Sequence, residues 1–425
     1  QIIGGIDGAG EGWQMLMECL AAGRGVSIPS QSSGGGKAVL RNLSAYAQVR
    51  QQFGVSIGKF EGVDEVLGRL GALCYLLEAN RIFVAGAIDS GVKPAVISAI
   101  SKYFSSEMAR KAVSDAMDIF GGSGITLGPR NLIAKKYIAA PISVTVEGAN
   151  ILTRTMIIFG QGAIRCHPFA ENEITALENG DVKHFDFAFF GHIRHVISNF
   201  CRSIVMNLTR GYAASVPFEG RVRRDYQKIS WASSRFAILS DIAMISYGGD
   251  LKRKEMLTGR FSDVLSWLYF ASAILRRYEA EGRSVEDYPF YRWSMDYALN
   301  QVQKAFEGIY SNFDVAILGP IFRYPVAWFA SANSISGPPS DTVSRKVSKL
   351  MCKPGEQRDR LTEGIFIPKK EGEALHLLDN ALVAVSVADS ILASVKKLVR
   401  SGDLPHCPLP ELLEKAFEKG VINES

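Results

Sequence analysis

The stretch EGVDEVLGRLGALCYLLEANRIFVAGAIDSG (residues 61–91) decides the fold class. From Phe60 onward, apolar residues recur at alternating spacings of three and four, which places them on one stripe of a helix of about 30 residues ending near Gly91. The stripe consists of Phe60, Val63, Leu67, Leu70, Cys74 and Leu77. A second long helix is predicted from Pro94, at the first-turn position that proline favours, to Gly121-Gly122.

Weaker helical patterns flank this pair. Toward the N-terminus, one helix is predicted in the first half of residues 13–30 and another over residues 38–53, with SSGGGK (32–37) as a flexible loop between them. Toward the C-terminus, a short β-branched lead-in precedes a helix from about residue 148 to residue 159. Long antiparallel helices with others packed alongside predict an all-α, up-and-down helical bundle over residues 1–160.

The remaining residues, 161–425, are predicted to form a mostly helical extension. The polar, turn-rich run CHPFAENEITALENGD (166–181) is the candidate boundary between the two parts. Helices are predicted from His184 onward and then over Trp231–Tyr247, Val264–Glu281, Tyr291–Tyr310 and Glu371–Val399. A looped region is predicted where prolines recur, at Pro320, Pro325, Pro338 and Pro339.

The composition is that of a folded protein without an extreme charge. The 425 residues are 47% hydrophobic and 21% charged with a formal net charge of +5, which excludes a largely disordered chain. No dense Lys/Arg run interleaved with aromatic residues is present, so a nucleic-acid partner is not expected. The six cysteines are scattered without a CxxC pair, which predicts reduced thiols in a cytosolic protein. No apolar run approaches the ~20 residues of a membrane-spanning helix.

Three familiar motifs are set aside because of their context. SSGGGKA (32–38) resembles a phosphate-binding loop, but alanine stands where a magnesium-binding Ser or Thr is required. GGSG (121–124) is not a nucleophile elbow, because Ile125 replaces the closing glycine. His192 and His195 lie three residues apart on a predicted helix and could share a metal. With no nearby carboxylate at ligand spacing, a plain amphipathic helix is favoured and no metal site is predicted.

The stretch VTVEGANILTR (144–154) contains the candidate for chemistry, Glu147. This glutamate stands where the sequence places the start of a helix, and a carboxylate there offsets the helix macrodipole and caps free amides. The alternative is a catalytic base whose pKa is raised towards the working pH by apolar neighbours such as Val144, Val146 and Ile151. Spacing alone favours the helix-terminal role without excluding the base.

Four blocks in order along the chain resemble the acyl-CoA dehydrogenases. They are GEGWQMLMECLAAGR (10–24), YAQVRQQFG (46–54), DIFGGSGI (118–125) and TVEGANILTR (145–154). The C-terminal helical domain of that family carries a Gly-x-Gly-aromatic helix start, a Tyr-Ala…Arg…Phe-Gly block, a Gly-Gly-x-Gly turn and a Glu-Gly base motif. The resemblance is close over residues 1–160. GQGAIRCHPF (160–169) and the helical remainder resemble the extension of the long bacterial acyl-CoA dehydrogenases of fatty-acid β-oxidation.

The resemblance implies roles for three residues on the substrate side. Glu147 matches the family's catalytic base, which removes the α-proton of the acyl-CoA thioester. Gly148 matches the glycine that lets the substrate approach this base, and Arg24 matches an arginine near the substrate pocket. Val146 departs from the pattern, because an aromatic residue often precedes the base.

On the cofactor side, the resemblance implies contacts with FAD. Arg50 matches the arginine at the FAD pyrophosphate and Phe53 the aromatic residue at the flavin nucleotide. Because the family's cofactor lies at a dimer interface, both would serve the FAD of the neighbouring subunit. The turn beside the adenosine portion is matched by Gly121, Gly122 and Gly124. Asp118 stands where many members carry a glutamine that bonds the cofactor.

The implied reaction is FAD-dependent α,β-dehydrogenation of a fatty acyl-CoA to the trans-2-enoyl-CoA, with this chain as the C-terminal half of the enzyme. The implied partners are the acyl-CoA substrate, an electron-transfer flavoprotein or similar acceptor, and further copies of the chain in a homo-oligomer. We expect a cytoplasmic location, with peripheral contact at the inner face of the membrane as an option. Two alternatives stay open: a non-catalytic helical scaffold, and a related flavoprotein oxidase.

Overall fold

The fold is built on three long helices. The computed structural model describes residues 2–92, 95–217 and 220–422. Three helices, α1 (Gly12–Val49), α2 (Glu61–Asp89) and α3 (Ala95–Phe120), pack against one another as a bundle, as the sequence predicts. The predicted start of the third helix at Pro94 lies outside the described residues.

Helix α1 is continuous, so the prediction of a flexible loop at SSGGGK (32–37) is wrong. Polar side chains of this segment are paired with α2. Oγ of Ser33 donates to the Glu78 carboxylate at 2.7 Å, and Nζ of Lys37 lies 3.2 Å from the same group. Gly36 packs directly against α2, since a Cβ there would lie 3.4 Å from a cysteine sulfur of that helix. This packing outweighs the low helix propensity of three successive glycines.

A short hairpin follows α1, where the sequence predicts helix as far as Phe53. Strands β1 (Gln51–Gln52) and β2 (Val55–Ser56) pair antiparallel. Both residues of the connecting turn have a left-handed backbone, Phe53 with φ +53° and Gly54 with φ +76°. Two successive left-handed residues are typical of the tight turn that matches the twist of paired strands. A 3₁₀ turn (Ile57–Lys59) then leads into α2.

The segment after α3 consists of short helical turns. They are α4 (Gly122–Ile125), α5 (Ala134–Ala139), α6 (Ile142–Thr145), α7 (Asn150–Leu152), a π-helical turn (Thr153–Gln161) and α8 (Gly162–Cys166). The β-branched lead-in before Glu147 is therefore helical as far as Thr145, and Val146 after it has an extended backbone. The helix predicted from Gly148 begins two residues later. Residues 146–149 form a bend between α6 and α7, and this bend carries the Glu-Gly pair.

The second half of the chain is also helical. Its elements are α9 (Ala170–Glu178), α10 (Val182–Leu208), α11 (Arg223–Tyr247), a 3₁₀ turn (Gly248–Arg253), α12 (Glu255–Ala280), α13 (Tyr288–Ser311), α14 (Leu318–Ile321), a π-helical turn (Phe322–Val326), α15 (Ala327–Ala332), α16 (Asp341–Met351), α17 (Glu356–Leu361), α18 (Ala374–Ser401) and α19 (Leu409–Glu418). Helices α10 to α13 and α18 match predicted ones. Two loop predictions are wrong: residues 166–181 contain α9, and residues 318–332 are helical. Pro325 fits there because it lies in a π-helical turn, where backbone hydrogen bonding is rearranged.

One hydrophobic core joins the two halves of the chain. The ring of Tyr75 in α2 lies 6.4 Å, centroid to centroid, from Phe290 in α13. The ring of Phe104 in α3 lies 5.1 Å from Trp267 in α12. All four side chains are buried. The all-α prediction is confirmed, whereas the division of the chain into 1–160 and 161–425 stays a prediction.

Helix α2 is apolar enough to be compared with a membrane span. It is the one helix of the described residues that is long and apolar enough to cross a membrane by itself. A bent pair of segments, 134–145 and 150–160, passes the same test only if its two parts are counted as one span. The most apolar window of α2 is 61% buried against the rest of the protein. Its apolar character is therefore explained by the core that it forms.

A buried charge cluster attaches α18 to α1. Asp379 of α18 accepts a hydrogen bond from Nε of Arg41 at 2.8 Å and another from Nη2 of Arg358 at 2.9 Å. The side chains of these arginines are only 10% and 3% exposed. Removing one partner of a buried ion pair leaves an uncompensated charge in the interior, which is strongly destabilising. We therefore expect Asp379 to be important for the attachment of α18.

Replacement of Asp379 tests this attachment. Asp379→Asn is expected to lower the free energy of unfolding by about 3 kcal/mol, because it removes the carboxylate paired with the buried Arg358, although Arg41 keeps an ion pair with Asp359 at 2.9 Å. Asp389→Asn on the same helix is the matched control, since its partner Lys59 is 52% exposed and exposed pairs contribute about 0.5 kcal/mol. Chemical denaturation measures both values. Equal losses in the two variants would contradict a special role for Asp379.

Candidate functional site

Glu147 lies on a backbone turn that most residues avoid. Its φ is +55°, and that of Gly148 is +107°. The left-handed conformation costs a non-glycine residue roughly 1–2 kcal/mol. Such strain persists only where the surrounding structure enforces it, and it is often found at functional sites. The bend at residues 146–149 therefore requires contacts that hold it in place.

Lys102 of α3 supplies these contacts, and its side chain is fully buried. The ammonium donates to the carbonyl of Gly148 at 2.5 Å, to Oδ1 of Asn150 at 2.6 Å and to the carbonyl of Val144 at 3.3 Å. Burial lowers the pKa of Lys102 to about 8, and the attraction of Glu147 opposes this shift. The three acceptor oxygens match the three hydrogens of the charged form.

Asn150 ties the same bend to α3 a second time. Its amide nitrogen donates to Oγ of Ser106 at 3.0 Å and to Oε1 of Glu107 at 2.7 Å. Asn150 is itself buried, so both contacts form away from bulk water. The position of Glu147 is consequently set by α3, through one lysine and one asparagine that reach the residues on either side of it.

The Glu147 carboxylate faces α1. A Cβ on Gly23 would lie 3.5 Å from Oε1 of Glu147, so α1 passes close to the carboxylate where it has no side chain. The next residue, Arg24, is 7% exposed. Burial lowers the pKa of the Arg24 guanidinium, and the attraction of Glu147 opposes that change. Oε2 of Glu147 and Nε of Arg24 are both buried without a hydrogen-bond partner among the described residues.

These unpaired atoms define what the site can do. Buried polar atoms are normally hydrogen-bonded, so unpaired atoms on a carboxylate and a guanidinium that act on each other electrostatically favour a ligand-binding role. A carboxylate oxygen in this setting can take a proton from a bound molecule. The buried guanidinium nearby can attract negative charge that forms on the same molecule.

A second group of predicted residues surrounds a cavity of about 1280 Å³. Its lining includes Tyr46, Arg50, Gly121, Gly122, Arg130 and Leu377. The guanidinium groups of Arg50 and Arg130 have no hydrogen-bond or ion-pair partner in the described part of the chain. Gly121 has a left-handed backbone (φ +54°), and a Cβ there would meet no atom within 4 Å. Two unpaired cations beside an open glycine turn suit a ligand that carries phosphate.

The structure brings most of the predicted site residues into these two groups, and leaves three of them apart. Phe53 is 94% exposed at the tip of the hairpin, and Asp118 is also exposed; neither is part of the cavity lining described here. Gly124 is buried, and a Cβ there would lie 3.2 Å from Cβ of Phe120, a tight contact, so packing already favours a glycine at this position. The roles of these three residues toward a cofactor stay predictions.

Sequence reasoning missed Lys102, Asn150 and Gly23. The contacts of Lys102 with the bend join residues 42 to 48 positions apart in the chain. No local pattern reveals contacts of that kind. The one available signal is a lysine in a helix whose neighbouring residues are buried. Lysine is almost never fully buried unless its charge is compensated, so such a lysine indicates polar partners elsewhere in the chain.

His192 lies near carboxylates that the sequence did not place there. Its Nδ1 lies 2.9 Å from Oε1 of Glu173, and ligand atoms of His167, His192 and Asp241 lie within 4.8 Å of one another. The argument that no carboxylate is near is therefore wrong, and His195 is not part of this group. Nδ1 of His167, however, accepts hydrogen bonds from two backbone N–H groups at the start of α9, at 3.2 and 3.0 Å. In the neutral ring the proton is thus on Nε2, which leaves that atom no lone pair for a metal. We assign no metal site here.

Two family descriptions match consecutive parts of the chain. Residues 10–159 match "Acyl-CoA dehydrogenase, C-terminal domain", and residues 164–425 match "Acyl-CoA dehydrogenase, C-terminal, bacterial type". The chain belongs to the acyl-CoA dehydrogenase family. The resemblance seen in the four sequence blocks is thereby confirmed.

Individual relatives are longer than this chain. The mitochondrial very long-chain specific acyl-CoA dehydrogenase of Mus musculus is 24% identical over 283 residues, which are 66% of this chain and 41% of that protein. The Rattus norvegicus protein of the same description is 32% identical over 121 residues, 28% of this chain and 18% of that protein. The chain thus spans less than half the length of these relatives.

Solved structures share the fold. An acyl-CoA dehydrogenase complexed with FAD from Bacillus anthracis has a TM-score of 0.61 at 16% identity, over 81% of this chain and 57% of that one. Acyl-CoA oxidase-1 of Caenorhabditis elegans, complexed with FAD and ATP, has a TM-score of 0.51 at 14% identity, over 94% and 57%. At these identities, the likeness concerns the fold alone.

Two substitutions at position 147 measure the backbone strain. Glu147→Gly and Glu147→Ala both remove the carboxylate, so their comparison isolates the cost of a Cβ at positive φ. We expect Glu147→Gly to be the more stable of the two by about 1 kcal/mol. Thermal or chemical denaturation gives the difference. If Glu147→Ala is instead the more stable variant, as in an ordinary helical or extended segment, the left-handed turn is not present in solution.

Proposed function

We propose that this chain carries the base and part of the cofactor site of an enzyme that dehydrogenates fatty acyl-CoA thioesters between Cα and Cβ with FAD. One observation carries the proposal: Oε2 of Glu147 is buried and unpaired, on a strained turn beside the buried Arg24. Membership of the acyl-CoA dehydrogenase family supports the choice of reaction.

The residues of this chain have distinct tasks in the proposed reaction. Glu147 takes the α-proton of the thioester and becomes a neutral acid. Gly148 leaves room for the substrate beside the base. Arg24 attracts the negative charge that develops as the α-proton leaves, and burial strengthens this attraction because water is excluded. When bound, FAD supplies the acceptor for the hydride that leaves Cβ, and the product is the trans-2-enoyl-CoA.

The cavity residues fit the diphosphate of FAD. Arg50 and Arg130 offer two cations without protein partners in the described part of the chain, and Gly121 leaves the turn open beside them. In this proposal, Arg50 and Phe53 contact the cofactor of a neighbouring subunit. The 94% exposure of Phe53 supports this arrangement, since its ring is free to meet a second chain.

The proposed partners follow from the same function. They are a fatty acyl-CoA substrate, further copies of the chain in a homo-oligomer, and an electron-transfer flavoprotein or similar acceptor. The proposed location is cytoplasmic, with the option of peripheral contact at the inner face of the membrane. Helix α10 exposes Phe187, Phe190 and Leu208 by 79%, 66% and 71%, and an apolar surface of this kind supports contact with another surface.

Replacement of Glu147 tests the reaction. In the holoenzyme, Glu147→Gln is expected to slow flavin reduction by acyl-CoA at least about a hundredfold, since a general base contributes about 10²–10⁴-fold, while the fold and the flavin content remain intact. Glu65→Gln, at a side chain 74% exposed on α2, is the control. Anaerobic titration with acyl-CoAs of different lengths, followed by flavin absorbance, measures both.

Each other outcome has a defined meaning. Turnover of Glu147→Gln within about tenfold of the wild type would exclude Glu147 as the base. No flavin bleaching in the wild type with any acyl-CoA would favour a non-catalytic scaffold. Release of peroxide in air at the rate of substrate turnover would indicate the oxidase alternative.

Replacement of Arg50 tests the cofactor site. Arg50→Met is expected to weaken FAD binding by roughly tenfold to a hundredfold, because a hydrogen bond to a charged group contributes about 1.5–3 kcal/mol. Arg253→Met is the control, since its side chain is 86% exposed and does not belong to the described cavity lining. Titration of the apoenzyme with FAD, followed by flavin fluorescence, measures the affinity. Unchanged affinity in Arg50→Met would remove Arg50 from the site.

A further inference from the structure

We propose that Lys102 is a positioning residue for the proposed reaction: its buried ammonium holds the turn that presents Glu147 and places a positive charge against the backbone on either side of this residue. The inference rests on the proposed function, because the position of Glu147 matters only if it is the base. Lys102 belongs to α3, and none of the four sequence blocks includes it.

The hydrogen bonds show how the turn is held. The carbonyl of Val144 precedes Glu147 in the chain and that of Gly148 follows it, and both accept from the same ammonium. A change in the φ angle of Glu147 moves these two carbonyls relative to each other. The strained turn therefore cannot relax without breaking at least one of these bonds, and the third bond, to Asn150, fixes the start of α7.

The charge of Lys102 also matters to the carboxylate. A buried cation is costly unless nearby groups compensate it. The charged groups that act on Lys102 are Glu147 and Glu107, which attract it, and Arg24, which repels it. No carboxylate forms a direct ion pair with its ammonium within the described ranges. An apolar residue would avoid this cost but would leave three acceptor oxygens without their donor, so the lysine both holds the turn and supplies a charge that acts on Glu147.

The test compares two lysine variants of the holoenzyme. Lys102→Met removes the ammonium at nearly constant length. We expect kcat to fall by about a hundredfold, since an error of about 1 Å in the placement of a reacting group has that effect, with a smaller change in KM. Lys136→Met is the control, because Lys136 is also partly buried but its pKa, which burial lowers, has no contribution from Glu147.

The pH profile separates the positioning role from a merely structural one. Reaction requires the Glu147 carboxylate in its ionised form, so the rate rises with pH on the acid side. Removal of a nearby positive charge disfavours that form. In Lys102→Met, the acid limb of kcat/KM is therefore expected to move to higher pH, and in Lys136→Met it is expected to stay in place.

Hydrogen–deuterium exchange gives a readout independent of turnover. The amides of residues 146–150 are expected to exchange faster in Lys102→Met than in the wild type, while those of α2 remain protected. If Lys102→Met does not fold, Lys102→Gln carries the test, because its amide keeps hydrogen-bond donors at this position without the charge. Exchange of the substrate α-proton with D₂O in the reduced holoenzyme, followed by NMR, measures the base step alone.

The outcomes distinguish the two proposals. If the wild type neither exchanges the α-proton nor is reduced by acyl-CoA, the proposed function itself is wrong. If the wild type is active and Glu147→Gln is inactive, but Lys102→Met keeps kcat within about threefold and an unshifted pH profile, the inference about Lys102 is overturned. Loss of kcat together with the shifted acid limb and faster local exchange supports it.

Discussion

Helix α2 is covered by other helices on several sides, and their placement depends on that contact. Helices α1, α3, α12, α13 and α16 all pack against it. Two glycines set the closest approach: a Cβ on Gly68 would lie 2.5 Å from the carbonyl oxygen of Ser344, and a Cβ on Gly71 would lie 2.6 Å from Cγ1 of Val347. Both distances are far below van der Waals contact, so neither position accepts a side chain while α16 stays where it is. The N-terminal bundle and the extension therefore share one core.

The sequence predicts the long helices well because each has a periodic apolar stripe. It fails where a distant residue decides the outcome. SSGGGK (32–37) has the composition of a loop, but the Glu78 carboxylate of α2 pairs with its serine and lysine side chains and makes the helical form favourable. Residues 318–332 contain two prolines, and a π-helical turn accommodates one of them within a helix. Local propensity indicates neither result, since both depend on contacts or on a rare backbone geometry.

Part of the candidate site is likewise predicted from the sequence, and part of it depends on distant residues. The resemblance to the family identifies Glu147, Gly148 and Arg24 from the sequence. The structure shows which residues surround them. Lys102 and Gly23 are invisible to that reasoning: a single lysine in a helix suggests a solvated position, and a single glycine suggests nothing. For His192 the sequence indicates no carboxylate nearby, but the structure brings carboxylates from α9 and α11 to it. The tautomer of His167 is evident only from its hydrogen bonds with backbone N–H groups. For Lys102, Gly23 and His192 alike, the relevant neighbours come from segments that are far apart in the chain.

The position of Glu147 also involves the second half of the chain, although that half contributes none of the proposed catalytic residues. The π-helical turn that follows α7 packs on α12. There, Nε of Arg154 donates to Asp263 at 2.8 Å, and Oγ1 of Thr258 donates to the carbonyl of Thr155 at 2.6 Å. Lys102 thus fixes the bend from the side of α3, and α12 fixes the chain directly after it. A base held from both sides needs little rearrangement when a substrate binds. Such preorganisation is an effective way for a protein to lower a reaction barrier. The backbone strain at Glu147 is then the stability cost of keeping the carboxylate in place, and the packing of the extension against α2 and the π-helical turn offsets it.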